Sequence, residues 1–229
     1  MKPKSSKSEV KVVIIGDTNA GKSTFINCLI DGPRGFQGAE QQQTRGWVNK
    51  PILLLIILGV EFFYQRFIVD RKLCKVGIWD AVGVEKYRAV NSALYRKAQG
   101  ALLLADLSDE NLEGNLEYWM NEFKEKAEPD APLFLVGNKC DLEENSCTLE
   151  RLIEFSEKYN IPFYKTSARF GENVHAVMEN LLNIINEKNE NYYEEILRRK
   201  PTMSFNIVNE MISKDFARRS PTRQRCSLN

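Results

Sequence analysis

The sequence has a single histidine, His175, and its five cysteines, at positions 28, 74, 140, 147 and 226, are scattered. The cysteines have no metal-ligand spacing with the histidine, and their odd number does not suggest a disulfide framework. The net charge of +1 gives no overall excess of basic residues, so we expect no nucleic-acid partner. No secretory leader is recognisable in the polar, basic start MKPKSSKSEV. We therefore expect a reduced, cytosolic compartment.

Long hydrophobic runs are also lacking. The most apolar stretch is PILLLIILGVEFF, residues 51–63, whose unbroken apolar run extends from Ile52 to Leu58. A helix needs about 20 apolar residues to cross a bilayer, so this run is too short. The pattern favours a buried β-strand, and an interfacial segment is the alternative.

Apolar strands alternate with helical periodicity over most of the chain. We predict a disordered arm at 1–9, a folded domain at 10–188 and a polar tail at 189–229 with one short helix at 203–213. The predicted strands are 10–15, 52–69, 73–79, 100–106, 131–138 and 161–167, and the predicted helices are 22–30, 86–98, 112–127, 148–159 and 173–188. Such alternation indicates an α/β fold with a parallel, doubly wound sheet, which binds ligands at the carboxyl ends of its strands.

The first strand runs into GDTNAGKS, residues 16–23, which has the pattern G-x-x-x-x-G-K-S between a strand and a helix. Its backbone N–H groups curl around a β-phosphate, Lys22 reaches the β- and γ-phosphates, and the Ser23 hydroxyl is a Mg²⁺ ligand. This phosphate loop predicts binding of a nucleoside triphosphate. The residues assigned to the nucleotide here are Gly16, Asp17, Thr18, Asn19, Ala20, Gly21, Lys22, Ser23 and Thr24, and Lys22 is also assigned a catalytic role.

A second polar loop, NKCD at 138–141, follows the strand LFLVG. The Asp141 carboxylate can accept hydrogen bonds from the N1–H and 2-amino groups of guanine, which adenine does not offer. Asn138 can bridge the base and the phosphate loop, and the stem of Lys139 can lie over the ring. After the next strand comes TSAR, residues 166–169, where the amide of Ala168 is a donor for guanine O6, flanked by Ser167 and Arg169.

With these motifs in order, the chain resembles the Ras superfamily of small GTPases and, within it, the Rab family. The blocks LGVEFF, VGIWD, KYRAVNSALYRKAQGALLLAD and GNKCDL carry the resemblance, over about residues 10–188. It implies a P-loop NTPase three-layer fold with a six-stranded, mostly parallel sheet and one antiparallel strand. It also implies GTP and GDP with Mg²⁺ as cofactors. The implied partners are an exchange factor, a GTPase-activating protein and effectors at the switch loops.

The loop WDAVGVEKY, residues 79–87, departs from the family pattern. Asp80 supplies the Mg²⁺ ligand and Gly83 the γ-phosphate hydrogen bond that the resemblance implies. Val84 stands where the family usually has the glutamine that orients the attacking water. A valine cannot position water, so we predict slow intrinsic hydrolysis, unless the side chain of a partner protein restores it.

The first switch loop is longer than the resemblance implies. Either Thr44 is the Mg²⁺-binding threonine, followed by an insertion at 45–57, or Ile57 occupies the threonine position and the ligand is lacking. Thr44 is the preferred assignment. Splicing out 45–57 leaves QQQTLGVEFF, so a gene-model artefact is a further alternative. Phe36 is either an edge contact for guanine or an ordinary loop anchor.

The chain ends RRSPTRQRCSLN, with Cys226 fourth from the end, as in an imperfect prenylation box. A prenyl chain plus basic residues provides two membrane signals, and the alternative is a solvated tail. We thus expect a peripheral protein on the cytosolic face of endomembranes, served by the prenylation machinery. Three functions stay open: a Rab-like switch in vesicle traffic, a non-hydrolysing GTP-binding scaffold, and a less favoured P-loop NTPase of another kind.

Overall fold

A computed structural model describes residues 9–32, 61–69, 72–80, 94–109, 115–143 and 145–199 of the chain. The strands in these residues are β1 Glu9–Gly16, β2 Glu61–Val69, β3 Lys72–Asp80, β4 Gly100–Asp106, β5 Leu133–Asn138 and β6 Phe163–Lys165. The helices are α1 Lys22–Asp31, α2 Asn115–Lys126, α3 Ser146–Tyr159 and α4 Val174–Arg199.

The strands form one six-stranded sheet in the order β2-β3-β1-β4-β5-β6. β2 and β3 pair antiparallel, as the predicted hairpin requires, and all other neighbours pair parallel. The predicted α/β fold, with a mostly parallel sheet and one antiparallel strand, is therefore confirmed.

Helices cover both faces of the sheet because β1 is apolar on both. Val12 and Ile14 lie in a core cluster with residues of α1 and α4, whereas Val13 and Ile15 lie in a second cluster with residues of α2 and α3. Successive side chains of a strand point to opposite faces, so the continuous run VKVVII supplies both clusters. The result is three layers, helix–sheet–helix.

The parallel strands end at one edge of the sheet. β1 ends at Gly16, β3 at Asp80, β4 at Asp106 and β5 at Asn138. Chain segments that follow these ends therefore come together although they are far apart in sequence. This edge carries the candidate site.

Two strand predictions were too long. Ala131 and Pro132 precede β5 as a loop, in which the Pro132 carbonyl accepts the amide of Ala101 at 3.0 Å. β6 covers only 163–165 of the predicted 161–167. The Thr166 amide still donates to the Gly137 carbonyl of β5 at 2.8 Å, and the side chains of Thr166 and Ser167 form hydrogen bonds in the site.

The last helix was predicted too short. α4 runs to Arg199, well past the predicted end at 188. Residues 187–199 contain many Glu, Arg and other strong helix formers and no Gly or Pro, so the sequence offers nothing that stops the helix before Pro201. The first eleven residues of the predicted tail, 189–199, are thus helical, and the short helix at 203–213 lies outside the described residues.

Several predictions fall on segments that are not described: Phe36, Thr44, the 45–57 insertion, Gly83, Val84, Cys226, most of the 86–98 helix and all but the last residue of the 1–9 arm. The chain forms two compact units, Met1–Ile185 and Asn186–Asn229. The boundary at 188 stays a prediction. Within the described ranges, no helix is long and apolar enough to cross a membrane.

Candidate nucleotide-binding site

The phosphate loop joins the end of β1 to the start of α1. Gly16 has a φ of 135°, and a Cβ there would lie 2.1 Å from the carbonyl oxygen of Leu104 on β4. Gly21, the N-cap of α1, has a left-handed φ of 89°. A Cβ on Gly21 would lie 2.4 Å from Nδ2 of Asn138. Both glycines are therefore required by close packing against other strands as well as by the turn itself.

Lys22 spans the phosphate loop from the inside. Its Nζ donates to the carbonyl oxygens of Gly16 and Asp17, each at 2.8 Å, and the side chain is buried. The amide of Ala20 also donates to the carbonyl of Asp17, at 3.3 Å. The ammonium group is thus held at the N-terminus of α1, where the helix dipole and the first N–H groups already favour an anion.

Ser23 and Asp80 contact each other at the N-terminus of α1. The Ser23 hydroxyl donates to Oδ2 of Asp80 at 2.7 Å, and Asp80 is fully buried. Asp80 lies at the end of β3, where it is the register partner of Ile14 on β1. Sheet pairing therefore carries the carboxylate to the beginning of the phosphate loop.

Asn138 connects the phosphate loop to both base loops. Its Nδ2 donates to the carbonyl of Ala20 at 2.9 Å, and its Oδ1 accepts from the Thr166 hydroxyl at 3.2 Å and the Ala168 amide at 3.0 Å. The side chain is buried, so each bond satisfies a group that water does not reach. The Ala168 amide, predicted as a donor to guanine O6, thus donates to Asn138 in this structure.

Asp141 is oriented by the loop after β6. The Ser167 hydroxyl donates to Asp141 Oδ1 at 2.6 Å, and Ser167 Oγ in turn accepts the amide of Phe170 at 3.2 Å. The amide of Cys140 donates to the Thr166 carbonyl at 3.1 Å. Residues 138–141 and 166–169 are therefore one braced unit and not two independent turns.

Lys139 is anchored to the end of β4. Its Nζ contacts Asp106 Oδ2 at 2.5 Å, while the amide and hydroxyl of Ser108 donate to Asp106 Oδ1 at 2.9 and 2.7 Å. Burial raises the pKa of Asp106, but the hydrogen bonds from Lys139 and Ser108 outweigh it and hold the pKa below its ordinary value. Lys139 Cε would lie 4.0 Å from a Cβ at Gly21, so the stem passes beside the phosphate loop.

Comparison with known proteins decides the family. The model of the Ras family matches residues 54–187. The chain belongs to the Ras family. It is 35% identical over 201 residues to Ras-related protein Rab-11B of Dictyostelium discoideum, an alignment that covers 87% of this chain and 80% of that protein.

Other relatives agree with this assignment. The chain is 32% identical over 180 residues to Ras-related protein SEC4 of Candida albicans, with 78% of each chain covered. It is 34% identical over 183 residues to Ras-related protein Rab11A of Lotus japonicus, with 78% of this chain and 74% of that protein covered. The protein is a Rab-like small GTPase of the Ras superfamily. The phosphate loop precedes the residues that the family model matches, so its assignment rests on its motif and geometry.

Ras-family GTPases bind guanine nucleotide with Mg²⁺, and the described residues fit both. A hydroxyl and a carboxylate, the oxygen ligands that Mg²⁺ prefers, lie within hydrogen-bonding distance of each other at Ser23 and Asp80. A buried ammonium stands at a helix N-terminus beside a glycine loop that leaves no room for side chains at Gly16 and Gly21.

The described residues from the sequence prediction meet at one edge of the sheet. Thr18 and Asn19 form the exposed tip of the phosphate loop, and Thr24 is the third residue of α1. Arg169 is exposed, with its guanidinium carbon 5.3 Å from the centroid of the Phe170 ring. Gly83, Val84 and Thr44 belong to the segments that the structure does not describe.

The sequence did not reveal three residues that support the site: Asp106, Thr166 and Trp119. Asp106 had one available signal, an acidic residue at the carboxyl end of a buried strand, next to the other loops. Thr166 was predicted only as part of the base loop TSAR. Its hydroxyl donates to Oδ1 of Asn138, 28 residues away in sequence. Trp119 lies in α2 and donates its Nε1–H to Oδ1 of Asp17 in the phosphate loop, a contact that nothing in the pattern of that helix predicts.

Proposed function

We propose that this chain is a guanine-nucleotide-dependent switch in vesicle traffic, which binds GDP and GTP with Mg²⁺ and hydrolyses GTP slowly. The observation that carries the proposal is Asn138, whose side chain holds the base loops and the phosphate loop together through three hydrogen bonds. In this proposal, the side chains connected through Asn138 bind both the base and the phosphates of the nucleotide.

In this proposal each part of the site recognises one part of the ligand. Asp141, held by Ser167, accepts the N1–H and 2-amino groups of guanine, and the stem of Lys139 covers the base. Lys22 and the amides of the phosphate loop bind the β- and γ-phosphates. The bound Mg²⁺, which neutralises phosphate charge, is held by Ser23, Asp80 and, in the preferred alignment, Thr44. The nucleotide-binding residues also include Gly16, Asp17, Thr18, Asn19, Ala20, Gly21, Thr24, Gly83, Asn138, Ala168 and Arg169.

Hydrolysis is proposed to be slow because of Val84. In hydrolysis, water attacks the γ-phosphorus and the bond to the β–γ bridging oxygen breaks, so GDP is the leaving group and inorganic phosphate is released. Catalysis of this step depends on the position of the water and on charge stabilisation more than on covalent chemistry. Val84 supplies no group that hydrogen-bonds water. The lack of the water-orienting glutamine at this position therefore lowers the rate and leaves nucleotide affinity largely intact.

The same residue favours a second candidate, a non-hydrolysing GTP-binding scaffold that stays in one state. The two candidates share the guanine site and differ in turnover. They predict different contents for the purified protein: mostly GDP for a switch that turns over, and mostly GTP for a locked module.

The cellular role is proposed from the relatives, which are named Ras-related Rab and SEC4 proteins. Exchange factors, GTPase-activating proteins and effectors are the proposed partners at the switch loops. Prenylation of Cys226, with the basic residues around it, is proposed to hold the protein on the cytosolic face of endomembranes. Membrane partition of the Cys226→Ser protein tests this, and partition equal to that of the wild type contradicts it.

The guanine site is tested by chromatography of nucleotide extracted from the purified full chain and by titration with fluorescent GDP. Co-purification of guanine nucleotide, together with loss of binding in Lys22→Ala, is the expected result. The control is Lys158→Ala, which removes an exposed lysine that pairs with Glu117 on the surface and leaves binding unchanged. A wild-type protein that binds no guanine nucleotide overturns the proposal.

A further inference from the structure

The indole of Trp119 contacts the phosphate loop from the opposite side to α1. Its Nε1 donates to Oδ1 of Asp17 at 2.8 Å, although 102 residues separate them. Trp119 lies in α2, and Asp17 is the second residue of the phosphate loop. A helix that is not part of the guanine site therefore bonds directly to the loop that binds phosphate.

The packing of α2 fixes the position of the indole. The helix packs on β1 and β4, and Trp119 is only 4% exposed in the core cluster that includes Met120 and Phe123 of the same helix. A buried indole N–H needs an acceptor, since burial without one costs the desolvation of the group. Asp17 is that acceptor. The bond joins α2, which is packed on the sheet, to the phosphate loop, so the position of the Asp17 side chain depends on the helix.

Asp17 transmits this restraint to the lysine of the loop. Its carbonyl oxygen accepts Nζ of Lys22 at 2.8 Å and the amide of Ala20 at 3.3 Å. The same residue is therefore held by α2 through its side chain and holds Lys22 through its backbone. A shift of Asp17 moves an acceptor of the ammonium group that binds the phosphates.

The carboxylate of Asp17 also places a negative charge in the loop that is proposed to bind the phosphates. A negative side chain in a loop that receives a polyphosphate repels the ligand, and the repulsion is smaller when the carboxylate is held away from the phosphates. The indole N–H is such a donor and holds Oδ1 against α2. A charge-assisted bond of this kind is among the stronger hydrogen bonds in proteins.

We propose that Trp119 is a positioning residue that acts through Asp17 to hold the phosphate loop in its binding conformation and so slows nucleotide release. This inference rests on the proposed guanine-nucleotide site. It assigns to α2 a part in setting the lifetime of the bound state.

The test is a double-mutant cycle on the dissociation rate of fluorescent GDP from the full chain. Trp119→Phe keeps an aromatic ring and removes the N–H donor, and it should accelerate release about tenfold. In the Asp17→Ala background the same substitution should change the rate by less than about twofold, because the acceptor is already gone. A purely structural role of the ring gives equal ratios in both backgrounds, and that result overturns the proposal.

Two further measurements keep the test decisive if Trp119→Phe does not fold. Asp17→Asn retains an acceptor oxygen for the indole, so it should release GDP several-fold more slowly than Asp17→Ala; equal rates overturn the proposal. Hydrogen exchange of the Trp119 indole N–H should be faster in Asp17→Ala than in the wild type, and equal exchange contradicts the bond.

Tyr95→Phe is the control for removing a buried polar group that packs next to α2 without hydrogen-bonding to Asp17. Tyr95 is fully buried, and its ring packs edge-on against Phe123 of α2, with centroids 6.3 Å apart. Removing its hydroxyl should leave the release rate unchanged. A wild-type protein without guanine-nucleotide binding overturns the proposed function itself. Normal binding with equal cycle ratios overturns only the role of Trp119.

Discussion

The hydroxyl of Ser23 donates a hydrogen bond of 2.7 Å to Oδ2 of Asp80, across 57 residues of sequence. The register of the sheet explains the contact, since Asp80 is the partner of Ile14 on β1, just before the phosphate loop. Pairing of β1 with β3 is thus enough to place the two oxygen ligands of the proposed Mg²⁺ site beside each other.

Ser23→Ala should abolish the dependence of GDP release on Mg²⁺. In the wild type, chelation of Mg²⁺ should accelerate release of fluorescent GDP, because the metal bridges protein and phosphate. The variant lacks one ligand, so its release should already be fast with Mg²⁺ present and should change little on chelation. Stopped-flow measurement of release with and without a chelator checks this.

Ser156→Ala is a matched control for that experiment. Its hydroxyl donates to the carbonyl of Ile161 at 2.7 Å in the α3–β6 connection. Removing it should cost about 1 kcal/mol of unfolding free energy and leave the effect of Mg²⁺ unchanged. A Ser23→Ala protein that responds to chelation like the wild type contradicts the metal assignment.

Asp141→Asn should change the base preference from guanine to xanthine. The carboxylate accepts two hydrogen bonds from guanine, whereas an amide offers a donor to the 2-oxo group of xanthine in place of one acceptor. Affinity for GDP should fall by about a hundredfold or more, as two charge-assisted bonds are affected. Calorimetric titration with GDP and xanthosine diphosphate measures both affinities.

Ser167→Ala, measured in the same titrations, tests the orientation of the Asp141 carboxylate separately from its presence. It removes the hydroxyl that holds Asp141 Oδ1 but keeps the carboxylate. We expect weaker GDP binding with the preference for guanine retained. If Asp141→Asn still prefers GDP over the xanthine nucleotide, the role of Asp141 in base selection is wrong.

Asp106 should make stability depend on pH in the acid range. Burial opposes its ionisation, but Lys139 and Ser108 together hold its folded pKa below the ordinary value of 3.8. The folded state then binds fewer protons than the unfolded state in this range. The stabilisation is complete above the unfolded pKa and is lost as pH falls through the folded pKa.

Asp106→Asn removes this titration. The difference in unfolding free energy between wild type and variant should therefore narrow as the pH falls from about 4.5 to about 2, as measured by urea denaturation at each pH. The difference in unfolding free energy between the wild type and Lys139→Met should narrow over the same pH range, because this variant removes the ion-pair partner of Asp106. A difference that stays constant over this range contradicts the pair.

The parts of the fold that the sequence predicted are those specified locally. β4 was predicted at 100–106 and is observed as Gly100–Asp106, because the apolar run GALLLAD ends at a charged residue. α3 was predicted at 148–159 and is observed as Ser146–Tyr159, with Asn145 as the N-cap that accepts the Thr148 amide. Both segments carry their own start and stop signals.

The end of α4 was misjudged although the local sequence contains no stop before Pro201, whereas other features depend on distant contacts. Just after β6 ends at Lys165, the side chains of Thr166 and Ser167 bond to Asn138 and Asp141, contacts that the sequence pattern did not predict. The site likewise contains residues that local motifs predict and residues that only long-range packing places. The phosphate and base loops are short contiguous motifs and were predicted, whereas Trp119 is placed by helix packing that no local pattern records.

Slow hydrolysis caused by Val84 is the central claim, and single-turnover hydrolysis of radiolabelled GTP tests it most directly. The wild type and Val84→Gln are loaded with GTP and compared in one preparation. Restoring a group that orients water should accelerate hydrolysis on the order of tenfold to a hundredfold, with GTP affinity unchanged. Equal rates for the two proteins, at the level of ordinary Rab proteins, would contradict it.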